Sequence, residues 1–301
     1  MKRTILYSLL FLSIGFMAVH ADDNTTDFKI TPPPVSCIKF FPGVKQFSIT
    51  GIYYKMGELE GQTGSGDSPV AYGFNANYAF SSPSKILGAQ NGGIITFSYM
   101  RITMPAGASE IYDEDINTNS FNLGYTAVLD LINGEKRDIA GEIIALKPTW
   151  AVFFGSSINY FNLNMGPLYQ AFGHSQDIEA INLITSFSLG SAADFPIGSH
   201  IALVPFIRYT VNIAQTIMDV PEPFNPDKLY SETYTSDYSY LDYGMDIDVR
   251  PFRNAPDWII SLGTAMAQVE GMKNGNLLIT LGIKHEIGKY YSSTTVGPAL
   301  H

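Results

Sequence analysis

From Tyr238 to Arg250 the chain alternates strictly between apolar and polar positions. Leu241, Tyr243, Met245, Ile247 and Val249 share one parity; Asp242, Gly244, Asp246, Asp248 and Arg250 share the other. Period-two spacing of this kind makes a strand with one apolar and one polar face, whereas a helix would scatter the acids around its circumference. The signature recurs along the chain and predicts strands at 46–54, 70–80, 94–104, 121–129, 149–161, 181–190, 201–214, 238–250, 258–268 and 277–287. In the second of these, Tyr72, Phe74, Ala76, Tyr78 and Phe80 oppose Gly73, Asn75, Asn77 and Ala79. The third loses its alternation in its second half, and Pro205 in the seventh requires irregular local pairing because it brings no N–H to a ladder. Residues 133–147 fit a short helix or a further hairpin equally. Residues 105–119 and 218–237, rich in acids and, in the second case, proline and tyrosine, read as long loops.

Alternation alone does not say what the apolar face touches, since both a soluble sandwich and a membrane barrel produce it. The strands run roughly 9 to 14 residues, as a tilted membrane strand needs, against a mean of about 5 to 6 in soluble proteins. Their polar faces are mostly Gly, Ala, Ser, Thr and Asn rather than Lys and Glu, which suits a crowded lumen more than open water. With the N-terminus in the periplasm, the connections after odd strands are generally the longer set, as expected of extracellular loops. Trp150 and Trp258 begin upward strands and so belong to a periplasmic girdle; Tyr72, Tyr160, Tyr209 and Tyr243 fall toward the outer ends and form a second one.

Composition sharpens the choice. Charged residues are 15% of the chain and aromatics 13%, where a soluble domain carries about 25% charged. Lys2 and Arg3 precede an apolar run from Ile5 to Val19 that ends in Val19-His20-Ala21, the form of a cleaved signal peptide over residues 1–21. Removing it takes the formal charge from −10 to −12, which disfavours nucleic acid as a partner. Cys37 is the single cysteine, so an intramolecular disulfide and multi-cysteine zinc sites are excluded. After Ala21 no apolar run approaches the ~20 residues of a membrane helix. The expected organisation is an extended periplasmic leader over 22–44, a barrel over 45–288 and a tail over 289–301. The fold class is all-β: one antiparallel transmembrane β-barrel of about ten strands, within a range of eight to twelve, with both termini in the periplasm.

Near the end of the barrel stands Thr280-Leu281-Gly282-Ile283-Lys284-His285-Glu286-Ile287. It is similar to the terminal-strand signal of bacterial outer-membrane β-barrel proteins, with His285 where an aromatic is usual and the chain continuing to His301. Over about residues 45–288 the chain resembles that porin-like, small-barrel class, and no narrower family. The resemblance implies residence in the outer membrane of a Gram-negative cell, with outer-membrane lipid as solvent and the barrel assembly machinery as the partner during insertion.

The polar parity carries the candidate chemistry. Asp242, Asp246 and Asp248 stand about 7 Å apart on one face and would repel in a low-dielectric lumen without water or cations beside them. Arg208, Arg250 and Lys284 are candidate partners; Glu286 and Asp130 add further lumen acids. The ladder reads either as a wet, cation-favouring filter or as a salt-bridge network holding the barrel shut. No cofactor, metal site or catalytic residue is assigned: alternating acids on a strand do not converge as a calcium loop does, and the adjacent pair His174-Ser175, with Asp177 near it in an expected outer loop, has no strand to fix it. The functional expectation is a narrow pore or transport-associated barrel with an acidic lumen, passing small solutes or cations. The alternatives are a non-conducting adhesin or structural barrel working through its outer loops, and a surface hydrolase.

Overall fold

The computed structural model describes residues 45–57, 68–81, 86, 89–104, 115–132, 136–137, 143–145, 147–164, 179–198, 200–222, 225–252, 257–269 and 275–287. The expected signal peptide, leader and C-terminal tail lie outside these residues, as do His174 and Asp177.

The strands are β1 (Lys45–Lys55), β2 (Val70–Ser81), β3 (Gln90–Met104), β4 (Ile116–Ile132), β5 (Lys136–Arg137), β6 (Ile143–Ala145), β7 (Thr149–Asn164), β8 (Glu179–Ile197), β9 (Ile201–Glu222), β10 (Asn225–Val249), β11 (Trp258–Val269) and β12 (Asn276–Ile287). Ten of them close into one antiparallel barrel in the order β1-β12-β11-β10-β9-β8-β7-β4-β3-β2, each beside its chain neighbour in the wall. Closure is made by β1 and β12, whose ladder runs unbroken from Lys45↔Ile287 to Lys55↔Leu277. It leaves no sheet edge along the wall, so the backbone is paired within it, as a bilayer demands.

The parity read from the sequence becomes an inside and an outside. Leu123, Phe154, Leu189, Leu262, Leu281 and Ile283 are at least half exposed, while the alternate positions Asn122, Phe153, Ser261 and Lys284 are buried. Aromatics from β2, β3 and β4 join on the outside, with Phe74 6.0 Å from Tyr99 and Tyr99 5.3 Å from Phe121 between ring centres. A closed wall that is apolar outside and polar within is a transmembrane barrel, the architecture of outer membranes.

Four sequence expectations change. Of the two readings of residues 133–147, the described residues show the hairpin, but not as part of the wall: β5 and β6 pair antiparallel with each other in a separate two-stranded sheet, which keeps the wall at ten strands. The described residues of 218–237 are not a loop. They are mostly the upper halves of β9 and β10, a hairpin paired from Val249↔Ile201 to Leu229↔Pro221 and on to Asn225↔Glu222. The outward face of β10 is apolar from Val249 to Leu241 and polar from Ser239 to Ser231. Once past the lipid, neither face of a hairpin is obliged to be apolar, so the alternation that marks a strand fades while the pairing continues. In the same way Asn117, Thr118 and Asn119, expected in a loop, are the first turns of the β4 ladder with β3. The upper half of β3 keeps its alternation, but Met100 and Ile102 point inward there and Arg101 outward; the inner face, not the strand, changes character.

Pro205 sits in the wall as expected. It faces Met245 in register on one side. On the other, the β8–β9 ladder skips from Ala192↔Phe206 to Phe195↔Leu203 with its register kept. Two pairs are missing where the imide lacks a donor.

Candidate functional site

The lumen is where the chain concentrates its buried polarity, and it is built strand by strand from small hydrogen-bonding pairs. Asn77 on β2 donates to Ser48 on β1 at 3.1 Å and accepts from Thr96 on β3 at 2.8 Å. Ser120 on β4 donates to Asn159 on β7 at 2.8 Å, Ser186 on β8 to Asn212 on β9 at 2.6 Å, and Thr216 to Asn182 at 2.7 Å. An amide that spans two strands ties the wall from within, and the buried members have satisfied at least one of their groups. Single-sequence parity puts these residues inside but cannot pair them, because pairing needs the register.

The predicted lumen charges all face inward and are buried: Asp130, Arg208, Asp242, Asp246, Asp248, Arg250, Lys284 and Glu286. Arg208 lies opposite Asp242 in the β9–β10 ladder and holds it with Nε to Oδ1 at 3.0 Å and Nη2 to Oδ2 at 2.7 Å. Lys284 reaches from β12 to Asp248, its Nζ 2.9 Å from both carboxylate oxygens. Arg250 Nη2 stands 3.8 Å from Glu286 Oε1. The acid ladder of β10 is thus shared out to cations on two different strands. Asp130 lies across the barrel, and Asp194, which the sequence reading missed because β8 was expected to stop at Gly190, lies near it: Asp130 pairs with Ala151 and Asp194 with Thr149 on the intervening β7.

Asp246 differs from the rest. It is buried, yet its side chain makes no hydrogen bond with a described residue. It lines a cavity of about 20 Å³ together with Thr50, Asn75, Ser261, Thr280 and the apolar Ile52, Phe206 and Leu278. Among the described residues no three His, Cys, Asp or Glu side chains stand close enough to share a metal.

The interface aromatics are all on the outside: Tyr72, Trp150, Tyr160, Tyr209, Tyr243 and Trp258 are exposed. Trp150 satisfies its indole N–H by donating to Ser191 at 2.7 Å. Trp258 stacks on His285 at 4.3 Å, and His285 Nδ1 is 3.5 Å from Asp257, so His285 does take the girdle position of an aromatic. Tyr243 and Tyr209, the latter opposite Leu241 in the β9–β10 ladder, stand near the outer end of the apolar stretch of β10, below the part of the hairpin whose outward residues are polar.

No protein-family model matches the chain, and a comparison with curated proteins finds no relative. Solved structures similar to it include Ail, the attachment invasion locus protein of Yersinia pestis, at 10% identity over 81% of this chain and 99% of that one, with a TM-score of 0.34. Neisserial surface protein A is 8% identical over 81% and 98%, with a TM-score of 0.33. The β domain of the Bordetella autotransporter BrkA is 9% identical over 81% and 100%, with a TM-score of 0.42. Likenesses this distant say nothing about what the chain binds.

Proposed function

We propose that this outer-membrane barrel is closed to ions and acts at the cell surface through its β9–β10 hairpin. The observation carrying the reading is the filled lumen. Tyr240, Lys284, Asn77, Asn159 and Asn212 are under 2% exposed, and the cavity beside Asp246, at about 20 Å³, has room for about one water molecule. The hairpin supplies what the lumen lacks. The β10–β11 ladder goes no higher than Tyr240↔Val269, so Leu229–Ser239 has a strand on one side only among the described residues. That edge suits an added extended segment. Asp219, Glu232 and Asp237 give it negative charge, which favours a basic partner segment.

The test is planar-bilayer recording of the refolded barrel. No conductance step is expected at any applied voltage; reproducible steps overturn the reading. For the hairpin, a labelled peptide alternating Lys and Val is expected to bind wild-type proteoliposomes. It is expected to fail on a variant with residues 217–233 replaced by Asn-Gly that still shows heat-modifiable migration. Undiminished binding to that variant overturns the hairpin's role.

One observation favours the narrow, cation-favouring pore instead. The buried acids Asp130, Asp194, Asp242, Asp246, Asp248 and Glu286 outnumber the buried cations Arg208, Arg250 and Lys284. Conduction would require Lys284 to part from Asp248, and the same recording distinguishes the two.

A further inference from the structure

The cavity beside Asp246 is a built site. Two adjacent rows of residues cross the wall at this height, over five strands and four. One is Asn75, Thr50, Gly282, Ser261 and Asp248 on β2, β1, β12, β11 and β10. The other is Ile52, Thr280, Gly263 and Asp246 on β1, β12, β11 and β10. The glycines clear the floor. A Cβ on Gly263 would come within 2.2 Å of Asp246 Oδ1 and 2.4 Å of Thr280 Oγ1, and one on Gly282 within 2.4 Å of Thr50 Oγ1. The oxygens therefore occupy the space that side chains on Gly263 and Gly282 would have taken, and converge on one hollow.

These oxygens have nothing else to do. The side chains of Asp246, Thr50, Ser261 and Thr280 make no hydrogen bond with any described residue, and their oxygens are not sealed within the wall but keep a little accessible surface at the hollow they line. Buried polar atoms in native proteins find partners. Lys284 gives its hydrogen bonds to both oxygens of Asp248 and acts on Asp246 only through space. A carboxylate and three hydroxyls facing a hollow of about 20 Å³ offer one negative charge and several hard oxygen donors to a particle the size of one water.

We propose that the Asp246 cavity binds a single monovalent cation of the size of sodium, with Asp246 supplying the charge and Thr50, Ser261 and Thr280 the neutral oxygens. One bound charge neutralises the one acid of the β10 ladder that no arginine or lysine holds by a direct hydrogen bond. A divalent ion, which prefers several carboxylates, is a poor fit to a site with one. The site is independent of whether the hairpin binds a partner.

The barrel, refolded in detergent, is melted at fixed ionic strength in mixtures of sodium chloride and choline chloride, choline being too large for the hollow. The expected result is a midpoint that rises by about 5 °C over a hundredfold increase in sodium, by mass action on the folded state alone, with line broadening of the sodium-23 resonance on adding protein. Asp246→Asn abolishes both effects. Should that variant fail to fold, Thr280→Val, which keeps the charge, is expected to weaken the sodium dependence. A wild-type midpoint indifferent to sodium overturns the proposal, as does one that rises only on acidification, which would assign the hollow to a proton. Undiminished sodium dependence in Asp246→Asn also overturns it.

Discussion

Arg208 faces Asp242 directly across the β9–β10 ladder and grips both oxygens of its carboxylate, so the barrel holds a buried ion pair whose two halves lie 34 residues apart in sequence. Neither member is tolerable alone in that place. Arg208→Ala leaves an unpaired buried carboxylate and is expected to cost about 3–5 kcal/mol. Replacing both, as Arg208→Met with Asp242→Leu, is expected to recover most of that loss. Urea titration of the refolded barrel, followed by heat-modifiable migration, measures both; a single variant as stable as wild type refutes the pairing.

The outward belt makes a second, opposite expectation about charge. Leu281 is 61% exposed, and in water Leu281→Arg would be innocuous. In lipid near the midplane it is expected to cost about 2–4 kcal/mol. The same change at Thr235, outward on the hairpin above the apolar stretch of β10, is expected to cost under about 0.5 kcal/mol. Equal small effects at both positions in lipid vesicles would place Leu281 in water.

Close backbone approach fixes one glycine. A Cβ on Gly73 would lie 1.9 Å from the Tyr99 carbonyl oxygen and 2.8 Å from Met100 Cα, both backbone atoms that cannot move aside, whereas one on Gly51 meets its nearest neighbour at 3.6 Å. Gly73→Ala is expected to abolish or sharply slow barrel formation, and Gly51→Ala to leave it intact. The fraction of heat-modifiable protein after refolding reads this directly.

On the hairpin, Tyr234 and Tyr230 donate their phenol hydrogens to Glu232 and hold its carboxyl below the usual glutamate range. A lowered folded-state pKa means that whatever these bonds add is present above the ordinary glutamate pKa and lost as pH falls through the lowered one. Tyr234→Phe is expected to raise the Glu232 titration toward its ordinary value, observed by carboxyl carbon NMR. Binding of the basic peptide is expected to weaken at a higher pH in that variant than in wild type.

How much of this was legible in the sequence depends on what each strand touches. β2 and β4 have lipid on one side and the lumen on the other, and parity alone set their faces. The upper parts of β9 and β10 touch water on the outside, so Ser231, Thr233 and Thr235 carry no apolar signal and the hairpin was taken for a loop. In β3 the signal failed for the reverse reason, because Met100 and Ile102 are apolar inside the lumen. The acid ladder of β10 and its three cations were visible as a set. Which cation holds which acid was not, since Lys284 reaches Asp248 only through a register that no local pattern encodes. Asp194 and the Asn–Ser pairs were hidden for the same reason, as was the hollow at Asp246, assembled from six strands.

The seam between β1 and β12 joins Lys45 to Ile287, nearly the two extremes of the wall. Nothing synthesised before the last dozen wall residues can finish the cylinder, and a nascent chain halted at Val269 has two raw flanks whose peptide groups no acyl chain can satisfy. The cylinder is therefore all or none: until β12 lies between β11 and β1, neither flank has its ladder.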